Sequence, residues 1–412
     1  PASYIRPSTP KGSNPPSPAV KLRLKSFPLV CALLLAAFTG LYGIATWRGN
    51  LQTNDSRNYL AIARNLAAGN GFADAEGDPV VYWPPLYPLV LRVGAGHPGA
   101  FVFGLHLLCM GGVFLLWLRL AGRQLASPRH VLLYGAYLVT ATPLLMIATF
   151  VWSEALFLLL FSAYLAGLHR YVNTPENRWL LWAAVPGFLM LLVRNAGIFG
   201  FAGALLGLWA TVGKRLDRKY LLLHVGLVLS GWAVWNADRL LLNGNQHVFG
   251  QLLPAFQPLR NAKLVLGELG ANFLPSQPLA LVGGALVLGG LAAFAWFWRT
   301  GRIREPFAKL LFVLILTYLG AWVIIPAHPD DISRFLSLVW PALYLVLLRT
   351  VEAATGSWGP TGCTLAWVGL WLGLVYPVVR VVYNALHWGS VNPVEVISLV
   401  NDIRSYTSGL IH

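Results

Sequence analysis

Four charged side chains stand in stretches that are otherwise apolar, and their types suit group-transfer chemistry. Asp55 and Glu154 each stand where an apolar helical pattern begins, Arg194 interrupts LMLLVRNAGIFGF, and Arg334 ends HPDDISR. A carboxylate can take the proton of an attacking hydroxyl. A guanidinium can hold a phosphate through two parallel hydrogen bonds. The residue types therefore predict a site that combines a general base with an anion binder.

Each of these residues also has an ordinary structural interpretation. One of residues 54–56 could cap the helix that begins there. Glu154 could lie in the first turn of a helix that Ser153 caps. Arg194 could extend to the membrane surface. A charge inside an apolar stretch is costly and usually functional, which favours the chemical interpretation.

The segment HPDDISRFL adds three polar candidates beside Arg334. His328 with Asp330 or Asp331 could hold a divalent metal, because imidazole and carboxylate are common ligands of such ions. The alternative is a turn in which one of the aspartates pairs with Arg334. The sequence leaves both interpretations of the aspartates open.

Two tyrosines lie near the first acid along the chain and are predicted to line the same cavity. Tyr59 follows Asp55 within one helical pattern, and Tyr87 belongs to the aromatic and proline-rich segment VVYWPPLYPLVL. The alternative for Tyr87 is an interfacial belt, where amphipathic rings gather at the membrane surface.

The elements that must position these residues are membrane helices. Of the 412 residues, 57% are hydrophobic and 11% are charged, whereas soluble proteins carry about 25% charged residues. A span needs about 20 apolar residues. The sequence predicts an all-α polytopic membrane protein with about eleven spans, at roughly 27–46, 99–118, 130–151, 153–169, 179–193, 196–213, 220–237, 278–298, 308–326, 335–349 and 361–383.

The net charge of +15 does not indicate nucleic-acid binding, because the basic residues form short clusters between apolar runs. With the N-terminus in the cytoplasm, most Lys and Arg residues fall on the inner side and most acids on the outer side, as the positive-inside rule requires. The three cysteines are scattered and form no CxxC pair, so they predict neither a zinc site nor a disulfide framework.

This topology divides the chain into three parts. Residues 1–26 are predicted to be a disordered cytoplasmic tail, 27–383 the membrane domain, and 384–412 a short outer tail. The outer loops are 47–98, 238–277 and 327–334, and the second reads as one or two amphipathic interfacial helices. Long outer loops favour an enzyme that works at the outer face.

The first loop resembles the GT-C glycosyltransferases of bacteria, which include the protein O-mannosyltransferases and the lipid A aminoarabinose transferase. The match covers the pattern DSxxYLxxAxNLxxGxGF and a following PPLYP, present here as Asp55-Ser56, Tyr59-Leu60, Ala63, Asn65-Leu66, Gly69, Gly71-Phe72 and Pro84-Pro85-Leu86-Tyr87-Pro88. Later family positions are similar to Ser153-Glu154, to Arg194, and to Arg334-Phe335-Leu336 with Pro341. The order holds over about residues 1–350.

The resemblance implies a polyprenyl-phosphate-linked sugar donor and a site at the outer face of a bacterial inner membrane. It also implies that Asp55 is the base and Arg334 the phosphate binder. The chain departs from the pattern because position 55 carries one acid instead of an acidic pair, and because it lacks the large soluble C-terminal domain of many relatives. The acceptor hydroxyl is therefore left open among lipid, glycan and protein.

The residues alone support the same reaction, since a leaving phosphate needs only orientation, a proton acceptor and nearby positive charge. A single displacement with inversion is expected. Two rival functions remain at this point: a transporter or flippase of lipid-linked sugars, and a non-catalytic membrane assembly protein. Internal repeats, which many transporters show, are not evident in the sequence.

Overall fold

The computed structural model describes residues 27–80, 83–241, 257–325 and 331–393, and this part of the chain is almost entirely helical, with no β-strand. The helices of the first half are α1 Phe27–Ala45, α2 Asn54–Ala68, α3 Leu86–Arg92, α4 Pro98–Gln124, α5 Pro128–Thr140, α6 Thr142–Thr149, α7 Glu154–Asn173, α8 Asn177–Val193 and α9 Gly197–Val212. Those of the second half are α10 Arg218–Leu241, α11 Pro258–Ala271, α12 Gln277–Arg299, α13 Pro306–Ile324, α14 Ile332–Leu336, α15 Trp340–Thr355, α16 Pro360–Leu372 and α17 Val375–Ser390.

All eleven predicted spans coincide with helices. Seven spans are long and apolar enough to cross a membrane: α1, α4, α7, α10, α12, α13 and the continuous stretch Pro360–Ser390 that contains α16 and α17. The bent pair α5–α6 supplies an eighth, α8 and α9 are shorter apolar helices, and α15 completes the set. The prediction of a polytopic all-α membrane protein with about eleven spans is confirmed.

The break between α5 and α6 has a local cause. Pro143 stands just inside α6, and a proline ring clashes with the carbonyl four residues earlier and provides no N–H. Ala141 is extended, and the two helices meet at a bend of 49°. The short α6 that results ends at Thr149, close to the start of α7, and its end faces the first loop.

Small residues allow the helices to approach closely. A Cβ added to Gly207 on α9 would lie 2.6 Å from the carbonyl oxygen of Leu310 on α13. One added to Gly270 on α11 would lie 1.6 Å from the carbonyl oxygen of Ala280 on α12. Van der Waals contact between backbones is a main source of helix association in membranes, so these glycines fix the two pairs.

The second outer loop forms one described helix. This helix, α11, falls inside the predicted loop 238–277, for which one or two amphipathic helices were predicted, and residues 242–256 of the loop lie outside the described residues. At the other end of the chain α17 continues to Ser390, beyond the predicted last span.

Charged residues also join helices at the far end of α7. Arg349 contacts Glu305 at 2.6 Å. It also contacts Glu352, which lies one helical turn further along α15 and accepts a hydrogen bond from His130. We call Glu305, Arg349, Glu352 and His130 the Arg349 network. His130 stacks on Trp367 with ring centroids 3.6 Å apart, so the network ties α5, α13, α15 and α16 together.

Candidate active site

A short backbone pairing brings the first loop to the start of α7. The N–H of Leu51 donates to the carbonyl of Thr149 at 3.1 Å, and the N–H of Val151 donates back to Leu51 at 2.9 Å. Trp152 Nε1 donates to Thr53 Oγ1 at 2.9 Å. These hydrogen bonds hold the beginnings of α2 and α7 side by side, although the two helix starts are about 100 residues apart in the chain.

Asp55 lies in the first turn of α2 and does not cap it. The N-cap is Thr53, whose backbone N–H donates to Ser56 Oγ at 3.0 Å. The interpretation in which Asp55 serves as the helix cap is therefore wrong, because Thr53 and Ser56 form the capping interaction. The Asp55 carboxylate is free to point away from the helix, and 34% of its side chain is exposed.

Glu154 is the first residue of α7 and is fully buried, at 0% exposure. Its carboxylate contacts the guanidinium groups of both Arg194 and Arg334. Ser153 is the N-cap residue of α7 and Glu154 lies in the first turn, as the structural interpretation had it, but the Ser153 side chain makes no capping hydrogen bond. Ser153 Oγ instead accepts a hydrogen bond from Arg194 at 3.2 Å. Two guanidinium groups compensate the buried carboxylate, which makes it the centre of the charged cluster.

Arg334 connects the two acids. It stands on the short helix α14, donates from Nε to Glu154 Oε1, and donates from one terminal nitrogen to Asp55 Oδ2 at 2.7 Å. Its Cζ lies 4.3 Å from the ring centre of Trp152. Burial alone would lower the pKa of Arg334, but the carboxylates of Glu154 and Asp55 outweigh it and raise that pKa, so the side chain is charged at every ordinary pH.

Arg194 reaches the cluster from the junction between α8 and α9. It is the C-cap residue of α8, with extended backbone, and its Cζ lies 5.5 Å from the ring centre of Phe335. Because its guanidinium pairs with Glu154, the interpretation as a side chain that only extends to the membrane surface is wrong. We call Asp55, Glu154, Arg194 and Arg334 the Arg334 cluster.

The two predicted tyrosines form a buried wall behind this cluster. Tyr59 lies within hydrogen-bonding distance of Ser153, with 3.3 Å between their oxygens, and burial raises its pKa to about 12. Tyr87 is also buried, which excludes the interfacial belt, and its hydroxyl lies 2.9 Å from His106 Nε2. The rings of Tyr59 and Tyr87 meet edge to face. Both phenols therefore stay neutral at physiological pH.

Asp331 lies beside the cluster, with Oδ1 3.7 Å from the nearest nitrogen of Arg334. Burial raises the pKa of Asp331 although Arg334 opposes the shift, and the nearby carboxylates of Asp55 and Glu154 add to it. His328 and Asp330 lie outside the described residues. Within the described ranges, no group of three His, Cys, Asp or Glu side chains could hold a metal ion.

The structure adds residues that the sequence did not single out. Trp152 and Thr53 hold the two helix starts together, and His106 joins Tyr87 to the carbonyl of Ala148 at 2.8 Å. Their only sequence signal is position: Trp152 comes two residues before Glu154, and Thr53 two residues before Asp55.

The cluster is balanced in charge but uneven in exposure. Two carboxylates face two guanidiniums, yet only Asp55 has substantial access to solvent, while Glu154 has none. A reacting hydroxyl could therefore reach Asp55 and not Glu154. Arg334 lies beside that reachable carboxylate, so a group able to accept a proton and a group able to bind an anion are adjacent.

Similar folds occur among solved membrane glycosyltransferases. ArnT from Cupriavidus metallidurans, bound to undecaprenyl phosphate, matches with a TM-score of 0.57 at 13% identity, over 90% of this chain and 78% of that one. An oligosaccharyltransferase from Archaeoglobus fulgidus matches with a TM-score of 0.57 at 13% identity, over 94% and 60% of the two chains. Arabinosyltransferase EmbB from Mycobacterium smegmatis matches with a TM-score of 0.54 at 15% identity, over 83% and 32%.

These neighbours show that the chain has a GT-C-like fold, and its own long apolar helices are those of a multi-pass membrane protein. No protein-family model matches the chain, and no curated protein matches it in sequence. The identities of 13–15% carry the fold alone, so the chemistry must be argued from the Arg334 cluster.

Proposed function

We propose that the protein is a glycosyltransferase that moves a sugar from a polyprenyl-phosphate donor to a hydroxyl acceptor, with inversion. The observation that supports this function is the contact between Asp55 and Arg334 at 2.7 Å, in which the acid is the more exposed partner. This contact supports the pairing of a proton acceptor with a phosphate binder, and the fold is one that solved glycosyltransferases share.

In the proposed reaction Asp55 takes the proton of the acceptor hydroxyl as its oxygen attacks the anomeric carbon of the sugar. The bond from that carbon to the phosphate oxygen breaks, and the polyprenyl phosphate leaves as an anion. Arg334, assisted by Arg194, stabilises the negative charge that grows on the leaving phosphate. One displacement inverts the anomeric configuration, and a second nucleophile is not required.

This reaction demands that the Asp55–Arg334 contact open when the donor binds. An inverting displacement places base and leaving group on opposite faces of the anomeric carbon, so the sugar must lie between them. Glu154 is fully buried against both arginines and would hold them in place during the change. We assign Glu154 a positioning role and keep proton transfer for Asp55.

We further propose that the site faces outward from a bacterial inner membrane. The distribution of Lys and Arg between the loops supports this orientation. A lipid-linked donor also requires a site at headgroup depth, and the Arg334 cluster lies where helices begin and end. ArnT was solved with undecaprenyl phosphate bound, which supports a polyprenyl carrier for the related fold. The acceptor class stays open among lipid, glycan and protein.

The sharpest test is Asp55→Asn in purified protein, measured both for donor binding and for release of polyprenyl phosphate. Because the variant removes one of the carboxylates that contact Arg334 and leaves Glu154 in place, we expect donor affinity equal to or higher than that of the wild type. Transfer should fall about 10²–10⁴-fold, the usual contribution of a general base. Asp78→Asn is the matched control, since Asp78 is an exposed acid in the same loop.

Two outcomes would contradict the proposal. Near wild-type turnover by folded Asp55→Asn protein would remove Asp55 from catalysis. Wild-type protein that binds the donor but releases no polyprenyl phosphate with any hydroxyl acceptor tested would favour the transporter or assembly functions.

A further inference from the structure

A charged cavity lies beside the Arg334 cluster but does not include its residues. It has a volume of about 380 Å³ and is bounded by α11, α12 and α17. Its polar lining includes Arg260 and Lys263 on α11, Gln277 on α12, and Tyr376 and Arg380 on α17. None of these residues belongs to the sequence motifs described above.

Arg380 is the most informative residue of this cavity. It is only 8% exposed, and its one protein hydrogen bond runs from a terminal nitrogen to the carbonyl of Ala271. Within the described part of the chain, no carboxylate pairs with it. Burying a guanidinium without a counter-charge is costly, whereas a bound anion would compensate it.

The remaining charges of the cavity favour the same occupant. Arg260 and Lys263 add two positive charges from the same helix. The single acid in the lining, Glu268, already accepts a hydrogen bond from Ser333 Oγ at 2.8 Å. The cavity thus has three cations against one engaged carboxylate, and guanidinium groups suit the geometry of phosphate.

Apolar surface around the cavity indicates that the anion belongs to a lipid. Leu264, Ala280 and Leu281 line the cavity itself. Val375 and Val379 on α17 are exposed by more than half, as expected of side chains that face hydrocarbon. The volume lies within the range of ordinary ligand pockets and suits a phosphate headgroup whose chains remain outside.

We propose that this cavity binds the phosphate headgroup of a second membrane lipid, distinct from the sugar donor. The donor carries one phosphate, which the proposed function places at Arg334, so a phosphate at Arg380 must come from another molecule. The Glu268–Ser333 hydrogen bond connects the cavity to the residue just before Arg334. Lipid bound there would fix α11 and α14 beside the reaction site.

The test measures ligand-dependent thermal unfolding in neutral detergent with four probes: dihexanoyl phosphatidylglycerol, dihexanoyl phosphatidylcholine, inorganic phosphate and polyprenyl phosphate. Phosphatidylglycerol should stabilise the wild-type protein more strongly than phosphatidylcholine, because only its headgroup carries net negative charge. Stabilisation by inorganic phosphate equal to that by phosphatidylglycerol would overturn the lipid assignment.

Variants separate this cavity from the Arg334 cluster. Arg380→Gln should weaken the affinity for phosphatidylglycerol at least tenfold and leave that for polyprenyl phosphate unchanged. Without lipid, it should unfold at the same temperature as the wild type or higher, because an uncompensated buried charge has been removed. Lys263→Gln, at an exposed position, should give a smaller loss, and Arg64→Gln, an exposed arginine on α2, should give none.

Two results would overturn the inference. Unchanged phosphatidylglycerol affinity in both Arg380→Gln and Lys263→Gln would leave the cavity without an anion. Loss of polyprenyl phosphate binding in Arg380→Gln, with binding retained in Arg334→Ala, would make this cavity the donor site. That second result would refute the placement of the donor at Arg334, but a failure of sugar transfer alone would leave the lipid site intact.

Discussion

The Arg334 cluster and the Arg349 network both pair arginines with acids, but the chain assembles them differently. Arg349 and Glu352 are one turn apart on α15, so helix geometry alone brings them together. Arg334 instead meets residues 279 and 180 positions away. Two further members of the Arg349 network, Glu305 and His130, then attach other helices to that local pair.

The positions of the charges differ as well. Each member of the Arg334 cluster stands at a helix start, at a helix junction or on a very short helix. Arg349 and Glu352 lie within a regular helix. Every ion pair within the Arg334 cluster joins distant parts of the chain, whereas the Arg349 network includes one local pair, and charges that only long-range packing holds together are the more typical of a chemical site. We infer that the Arg334 cluster is maintained for reaction and the Arg349 network for helix association.

Glu154→Gln should produce the largest effect. An amide cannot neutralise the two guanidinium groups that contact this fully buried position. Removing one partner of a buried ion pair costs about 3–5 kcal/mol, so the unfolding temperature should fall and transfer should be lost. Thermal unfolding and transfer assays check this, with the exposed Glu76→Gln as control. Normal stability together with normal transfer would show that the cluster is dispensable.

Arg334→Lys should have the next largest effect, and mainly on transfer. Lysine keeps the charge but has no planar fork to bond Glu154 and Asp55 at once. Losing one charge-assisted hydrogen bond costs about 1.5–3 kcal/mol, which corresponds to about a tenfold to hundredfold lower kcat/KM. Arg64→Lys is the matched control on α2. Full activity of Arg334→Lys would mean that its hydrogen-bond geometry is irrelevant.

Glu352→Gln tests whether the Arg349 network serves helix association and not the reaction. It weakens contacts to Arg349, His130 and the backbone N–H of Ala126, all remote from Asp55. The protein should unfold at a lower temperature, while turnover per folded molecule stays at the wild-type value. The measurement pairs thermal unfolding with kcat determined on the folded fraction. A selective loss of kcat would show that the two ends are coupled through the bundle.

Much of the fold could be predicted from the sequence, because a hydrophobic span carries its own signal. Each apolar run near 20 residues became a helix or a bent pair of helices. The start of α2 was less predictable: the structural alternative had one of residues 54–56 as the cap, whereas the N-cap is Thr53 and Ser56 only completes the capping box. Capping depends on local geometry that one turn of sequence does not fix.

The members of the Arg334 cluster could also be predicted, because each is a charged residue in an otherwise apolar stretch of sequence. Their pairing could not be predicted. The structural alternative paired Arg334 with Asp330 or Asp331, four and three residues away; Asp330 lies outside the described residues, and Asp331 is the more distant of the acids that Arg334 meets. The structure pairs Arg334 with Asp55 and Glu154 and leaves Asp331 at 3.7 Å. The backbone pairing of Leu51 with Thr149 and Val151 decides this, and long-range pairing leaves no periodic trace in a sequence.

Asp331→Asn should give the smallest effect, and it tests whether the donor phosphate binds at Arg334. If the donor phosphate binds Arg334 as proposed, the Asp331 carboxylate competes with it for that guanidinium and repels it. Two charges about 4 Å apart in water interact by about 1 kcal/mol, so neutralising Asp331 should lower the donor KM about fivefold. Turnover should change little, because the substitution leaves Asp55, the proposed proton acceptor, untouched.

The effect should depend on pH in a defined direction. Burial raises the pKa of Asp331, so its carboxyl takes up a proton at a higher pH than an ordinary aspartate does. As the pH falls through that pKa, the wild-type protein loses the repelling charge, while a donor phosphodiester stays ionised. The wild-type KM should therefore approach that of Asp331→Asn at low pH and diverge from it as the pH rises. Donor KM measured across this pH range for both proteins, with Asp78→Asn as control, checks the prediction. A pH-independent ratio between the two proteins would mean that Asp331 does not face the donor phosphate, and would weaken its placement at Arg334.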